Sequence, residues 1–307
     1  MLDFKGEFIK NDDIVIVGVS GGADSICLLH ILHSYYKIKT IAVHINHNLR
    51  AEESKRDEMF VRNFCENIGV RYIIKNVYIE KNKQTIEEAA RAIRYKIFEE
   101  LRIEHNAAYI ATAHNKNDNV ETMLLNFFRG TGLKGLRGIP EKRNAIIRPL
   151  LNCSRKEIES YILENNLQYV NDSTNFTDIY TRNKIRKIVH EYNLLKPLTT
   201  AREILTEEDN FLEQETKKHF DDCVSNNELN IKKFKKLHIA IKRRIAKKLL
   251  ESWSEQGFSA IHINVFVDLA EKPRGKKLDL PNNLQILRKC DKIVMVEKLI
   301  EKKFKEV

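Results

Sequence analysis

The sequence predicts a doubly wound, mainly parallel α/β sheet followed by a mostly helical C-terminal domain that ends in a small strand-rich segment. Three observations carry this. From Asp13 to about Leu151, short apolar runs alternate with longer amphipathic stretches, the pattern of parallel strands joined by helices. Two of those stretches open with capping boxes, Thr85-x-x-Glu88 and Ser154-x-x-Glu157, in which hydroxyl and carboxylate satisfy the orphan amides of a helix start. Beyond about Pro197 the strand-like runs stop and charge density rises. The domains are accordingly placed at 1–200 and 201–307.

Each element follows from local pattern. Ile14–Val19, Thr40–Ile45, Val70–Ile79, Ala107–Ala111 and Ile146–Leu151 are apolar enough to be strands covered on both faces. Helices begin at about Ser25, Glu52, Thr85, Asn117 and Ser154. Right-handed crossovers then build a sheet whose ligands sit at the C-terminal ends of the strands. In the second domain, residues 202–254 and 258–271 carry helical periodicity, and 276–297 forms the strand-rich end.

A chain of 307 residues and 36.0 kDa has room for two hydrophobic cores. With 42% hydrophobic and 31% charged residues, collagenous, low-complexity and wholly disordered classes are excluded. No apolar run approaches the roughly 18–20 residues of a membrane span, and the first residues lack the apolar core of a signal peptide. The expectation is a soluble cytoplasmic protein with no membrane partner. Cys27, Cys65, Cys153, Cys223 and Cys290 are scattered, with no C-x-x-C pair, so a disulfide framework, structural zinc and an iron–sulfur cluster are not expected. The net charge of +10 favours a polyanionic partner.

The strongest chemical signal is Ser20-Gly21-Gly22-Ala23-Asp24-Ser25, between the first strand and the first helix. Two glycines let the backbone turn so that its amides converge, and the helix N-terminus adds partial positive charge; together they cradle an anion. Asp24 would repel a phosphate unless a cation lay between them, which implies Mg2+. The loop is not a Walker A motif, because the required lysine is absent. Asp118 and Glu121, three residues apart, share one helix face at the sheet's C-terminal edge and are candidates to hold metal or an amine. Gly130-x-Gly132-x-x-Gly135 follows a helix rather than a strand, so it is not a dinucleotide fingerprint. It reads instead as a basic loop, with Arg129, Lys134 and Arg137, able to close over a phosphate-rich substrate.

The hexapeptide resembles the signature of the PP-loop ATP pyrophosphatases. Further motifs narrow the resemblance: His44-x-x-His47-x-x-Arg50; Glu87-Glu88-x-x-Arg91-x-x-Arg94-Tyr95; Ala113-His114 with Asp118-x-x-Glu121-Thr122; Phe128-Arg129-Gly130-x-Gly132-Leu-Lys134-Gly135; Arg148-Pro149; Asp172-x-Thr174-Asn175; and Arg182-Asn183-x-x-Arg186. In this order they are similar to the tRNA(Ile)-lysidine synthetases, strongly over about residues 10–190 and in outline beyond. The family commonly carries a second His and a second Asp where this chain has Asn115 and Asn117.

The resemblance implies ligation of L-lysine to the wobble cytidine of a tRNA(Ile) with a CAU anticodon, using ATP and Mg2+ and releasing pyrophosphate and AMP. Ser20–Ser25 with His44, His47, Arg91 and His114 would bind the nucleotide, and Asp24 and Asp118 the metal. Asp24, Asp118 and Glu121 would carry the chemistry. Arg129, Lys134, Arg182 and Arg186 would contact RNA, as would Lys242, Arg243 and Arg244, which lie in a basic run, 230–249, that contains no acid. Along residues 232–253, Phe234, Leu237, Ile241, Ile245, Leu249 and Trp253 recur as a helical stripe. A homodimer is kept as a candidate assembly. Two rivals stand beside this reading: a tRNA 2-thiolation enzyme on the same scaffold, and a non-catalytic nucleotide- or RNA-binding protein.

Overall fold

The computed structural model describes residues 2–10, 12–46, 51–77, 86–170, 179–254, 257–281 and 284–297. The chain divides into two compact units, Met1–Leu205 and Thr206–Val307. The first runs β1 (Ile14–Gly18), α1 (Ala23–His30), a π-helical turn (Ile31–Tyr35), β2 (Lys39–Asn46), α2 (Ala51–Ile68), β3 (Arg71–Asn76) and α3 (Ile86–Glu104). It continues with β4 (Tyr109–Ala111), α4 (Lys116–Phe128), α5 (Leu133–Leu136), β5 (Lys142–Arg143), β6 (Ile146–Ile147), α6 (Arg155–Glu164) and α7 (Ile179–Glu191).

Among the described residues these strands form one sheet in the order β3-β2-β1-β4-β6-β5, parallel except for β5 against β6. Alternation along β1 explains why both faces are covered. Val15 and Val17 pack with Ile26 and Leu29 of α1, Val61 of α2 and Ile158 of α6, whereas Ile16 packs with Phe98 and Leu101 of α3. Burying each such side chain contributes roughly 1.5–3 kcal/mol. Gly18 permits a close approach: a Cβ there would lie 2.7 Å from the Phe98 ring. Strand order reverses at β1, which opens the crevice where β1 and β4 end.

Several elements are shorter than the sequence suggests. The expected strand Ile146–Leu151 stops at Ile147, because Pro149 has no N–H for a ladder and the chain turns there. Of the expected Val70–Ile79 strand, Arg71–Asn76 is strand, and Tyr78 and Ile79 lie outside the described residues. The capping box at Ser154 forms as expected, whereas Thr85 of the other lies outside the described residues.

The boundary between units falls within α8 (Leu195–Cys223). Beyond it come β7 (Val224–Ser225), β8 (Glu228–Asn230), α9 (Ile231–Lys235), α10 (Ile239–Trp253), α11 (Ala260–Leu269), β9 (Lys277–Asp279), β10 (Leu284–Arg288) and β11 (Lys292–Glu297). The strands form an antiparallel sheet, β7-β8-β11-β10-β9. The reading of 202–254 as helices is therefore corrected in one respect: the β7–β8 hairpin lies among them. Asn226 and Asn227 both have positive φ, 51° and 57°, which suits the two-residue turn that right-twisted strands favour. Most of the apolar stripe is nevertheless buried, with Phe234, Ile245 and Leu249 at 0% exposure and Leu237 and Trp253 half-buried, although Phe234 belongs to α9, Leu237 to the turn after it and the others to α10. Among the described residues no helix is long and apolar enough to cross a membrane.

Candidate active site

The glycine-rich turn sits where β1 ends. Gly21 has φ +95°, a left-handed conformation that glycine adopts without strain, and its carbonyl accepts from Val170 N at 2.9 Å. Ser25 Oγ accepts from Ser20 N at 3.2 Å and donates to Gly22 O at 2.9 Å, closing the turn on itself. Gly22 is the N-cap of α1 and brings no side-chain cap; Ser25 N donates to Gly22 O at 3.0 Å, so the amides of Ala23 and Asp24 are the ones left for solvent or an anion. His44 lies behind the loop. It is buried, and its Nδ1 donates to Val19 O at 2.9 Å, tying the end of β2 to the base of the turn. That contact makes His44 a positioning group for the loop. His47 lies outside the described residues.

An acidic cluster faces the same edge of the sheet. Asp24 Oδ1 accepts from Asn115 Nδ2 at 3.2 Å, and Oδ2 from Arg155 Nη1 at 2.7 Å. Burial pushes the Asp24 carboxyl above its ordinary range, and Arg155 and Asn115 pull against that. Asn115 is also the N-cap of α4: its Oδ1 accepts from Asp118 N, while Asp118 Oδ2 accepts from Asn115 N, both at 3.0 Å. Burial, then the charges of Glu121 and Asp24, push Asp118 up to about 6, against the pull of the Asn115 amide and Arg186. Glu121 is 4% exposed and takes a bidentate pair from Arg186, at 2.8 and 3.2 Å.

The two asparagines at the family's usual His and Asp positions thus have definite work. Asn115 joins α4 to the phosphate loop through Asp24. Asn117 Oδ1 accepts from Arg155 N at 3.0 Å, which fixes the start of α6 and aims Arg155 at Asp24. Sequence reasoning missed Arg155; nothing local marks a residue that meets its partner 131 positions away. His114 Nδ1 contacts Thr112 Oγ1 at 3.0 Å, beside β4. Arg91 is exposed and lies over the Tyr95 ring at 5.2 Å, on α3. Arg129 caps α4 and is exposed, as is Lys134 of α5. The side chain of Arg182 and the Asp172–Asn175 motif lie outside the described residues. Arg186, expected to grip RNA, spends its guanidinium on Glu121.

In the second unit, Arg244 is bound to the buried Asp209 and to Glu213. Arg243 donates to Asn264 at 3.0 Å, and Lys242 lies over the Phe234 ring.

Residues 3–192 match the PP-loop domain family. The chain is 38% identical to the tRNA(Ile)-lysidine synthase of Caldanaerobacter subterraneus subsp. tengcongensis, over 99% of this chain and 70% of that protein. The chain belongs to the tRNA(Ile)-lysidine synthase family. It is also 36% identical to the tRNA(Ile)-lysidine synthase of Clostridioides difficile, over 96% of this chain and 69% of that one. In fold it resembles a U34-tRNA thiolase from Methanococcus maripaludis solved with its [4Fe-4S] cluster, with a TM-score of 0.55, 22% identity, and coverage of 68% of this chain and 75% of that one.

The donor set tests whether this member of the lysidine synthase family suits Mg2+. Asp24 and Asp118 are hard oxygen donors whose charged forms are penalised by burial, and for Asp118 by neighbouring carboxylates as well. A divalent cation would relieve that penalty. Mg2+ generally takes one or two carboxylates and completes its shell with substrate phosphates and water, which fits two aspartates beside a phosphate loop. Among the described residues no three His, Cys, Asp or Glu side chains converge as an all-protein metal cage.

Proposed function

We propose that this protein ligates L-lysine to C2 of the wobble cytidine in a tRNA(Ile) with a CAU anticodon, through an adenylated cytidine. The observation that carries the reading is the acidic cluster of Asp24, Asp118 and Glu121 at the sheet's C-terminal edge, counterbalanced by Arg155 and Arg186, beside a glycine turn with uncapped helix amides.

A carbonyl-like oxygen is a poor leaving group until activated, and ATP activates it. Cytosine O2 attacks the α-phosphorus and the bond to pyrophosphate breaks. The Ser20–Ser25 turn and the N-terminus of α1 would hold the departing pyrophosphate with backbone amides. Mg2+, held by Asp24 and Asp118, would neutralise phosphate charge. Arg155, already at Asp24, would add positive charge on the same side. The ε-amine of lysine then attacks C2, and the C2–O bond breaks with AMP as leaving group.

The amine must lose a proton to react. With Asp118 committed to the cation, Glu121 would orient the ammonium for that loss. RNA would be held by Arg129 and Lys134 and, in the second unit, by Lys242 and Arg243. Sulfur transfer is a poorer fit: the thiols of Cys65 and Cys153 are buried and pushed up to about 12, and Cys27 is raised by burial too.

Incubation with labelled lysine, ATP and total tRNA tests the proposal. Label enters RNA only when ATP is present, with pyrophosphate released in equal amount. Pyrophosphate release without lysine incorporation, or none with any tRNA, overturns it.

A further inference from the structure

Two phenylalanines at the end of α4 stand in solvent beside the proposed site. Phe127 is 62% exposed and Phe128 66%, with ring centroids 6.0 Å apart in an edge-on arrangement. Single exposed apolar side chains are ordinary, but adjacent, mutually braced aromatic rings on a helix end are not required by the core beneath. That core is made by Val120 and Leu125 of the same helix with Ile185 and Val189 of α7, and neither phenylalanine belongs to it.

Their position on the helix is informative. Asp118, Glu121, Leu125 and Phe128 are spaced by three, four and three residues, so they form one stripe on α4. Phe128 therefore emerges on the face that carries the acids, about 10 Å beyond Glu121 at 1.5 Å per residue. Charge completes the surface. From Thr122 to Pro140 the chain contains Arg129, Lys134 and Arg137 and no acid. Gly130 and Gly132 next to the rings have open space around them, and Asn126 Nδ2 donates to Gly135 O at 2.9 Å, which holds the basic segment against the helix.

We infer that Phe127 and Phe128 form a stacking platform for an unpaired nucleobase next to the reacting cytidine, with Arg129 and Lys134 on the adjoining phosphates. Aromatic faces among cations are the recurring means of gripping single-stranded nucleic acid. A protein surface docking here would be served equally by aliphatic side chains and would be expected to bring acids. The inference rests on the RNA substrate of the proposed function and adds to it the site that holds the flanking base.

The test uses the full-length protein and an anticodon stem-loop with a CAU loop, followed by fluorescence anisotropy of the labelled RNA. Phe128→Ala should weaken binding about tenfold or more, the size of effect found when a stacking ring is removed. Phe128→Tyr should stay within about twofold of wild type, and Phe128→Leu should behave like alanine, because leucine keeps the apolar contact and loses the π face. Both positions are exposed, so melting temperature should not move. Leucine equal to wild type, or alanine equal to wild type, overturns the platform. A Phe127→Ala/Phe128→Ala protein that changes sedimentation instead of RNA affinity assigns the rings to self-association and also overturns it. Wild type that neither binds the stem-loop nor incorporates lysine refutes the proposed function itself, a result distinct from either.

Discussion

Replacing Asp118 by asparagine should stabilise the first unit at neutral pH and do nothing for it in acid. In the folded protein this carboxyl titrates near 6, against an ordinary value of 3.8, because it is partly withdrawn from water beside Glu121 and Asp24. The native state therefore holds the proton more tightly than the unfolded chain between about pH 4 and 6. Stability falls as pH rises through that window, and the penalty is complete above about pH 7. Two pH units correspond to about 3 kcal/mol at 1.36 kcal/mol each, which is a ceiling for a group that water still reaches. The opposing loss is the attraction between a carboxylate and the first turn of α4, roughly 0.3–1 kcal/mol. Asparagine keeps an oxygen for the Asn115 amide, so the cap survives. The net gain expected for Asp118→Asn is about 1–2 kcal/mol, or a few degrees in melting temperature for a unit of this size.

The assay is thermal unfolding of wild type and variant, in EDTA without nucleotide, from pH 4 to 8. The difference between the two proteins should be near zero at pH 4, grow through pH 5 and 6, and level off above 7. Comparing the pair cancels the titrating groups that do not interact with Asp118. A gain of equal size at pH 4 and pH 7.5 would mean that packing or capping is responsible, and a loss at pH 7.5 would show that the cluster is not a source of strain. The same variant should be defective in lysine ligation, which explains why a destabilising acid is kept.

Three further outcomes follow from the same geometry. Asp24→Asn should retain the fold while pyrophosphate release falls on the order of 10²-fold, as loss of a phosphate-neutralising cation would produce; unchanged turnover removes Asp24 from the reaction. Glu121→Gln should raise the KM for lysine more than that for ATP, and an equal rise in both would reassign Glu121 to metal binding. Lys242→Ala with Arg243→Ala should leave melting unchanged and flatten the dependence of log affinity for tRNA on log salt by about 1–2, whereas Arg244→Met should cost the second unit about 3–5 kcal/mol by taking the paired cation from the buried Asp209. Equal salt slopes for the double variant and wild type would place the RNA contacts elsewhere.

How much of this was legible in the sequence depends on how far apart the partners lie. The strands of the first sheet are visible because β1, β2 and β4 are covered on both faces and read as unbroken apolar runs. The phosphate turn is visible because its hydrogen bonds close within six residues, Ser20 to Ser25. The acids are visible as a pair because Asp118 and Glu121 share a helix face. What holds them is not. Asp24 meets Asn115 across 91 residues and Arg155 across 131, and Glu121 meets Arg186 across 65. Periodicity carries no information at such distances. Arg186 is singled out by the sequence as an RNA contact, because nothing in its own helix says that a buried carboxylate lies opposite. The β7–β8 hairpin was missed for a different reason: its only local sign is the pair Asn226-Asn227, which lacks the glycine that usually marks such turns.

The basic run of the second unit shows how a one-dimensional charge pattern misleads. Residues 230–249 contain no acid, and that absence favours phosphate contact only if acids from other segments stay away. They do not. Lys232 pairs with Asp291, Lys233 with Asp222, Lys235 with Glu271, Arg244 with Asp209 and Glu213, and Lys247 with Glu251. Five of the nine cations in the run are thus matched inside the unit, and the Arg244 pair, with Asp209 at 0% exposure, is a structural bond on which the packing of α8 against α10 depends. Exposed pairs of this kind are worth about 0–1 kcal/mol each, so a polyanion can outcompete the lysines but not Arg244, whose departure takes the paired cation from the buried Asp209. The RNA contacts proposed for α10 therefore narrow to the cations whose contacts are cheap to give up: Lys242 and Lys248 over aromatic rings and Arg243 on a neutral amide. That distinction, drawn from burial rather than from charge count, is what separates Arg243 from its neighbour.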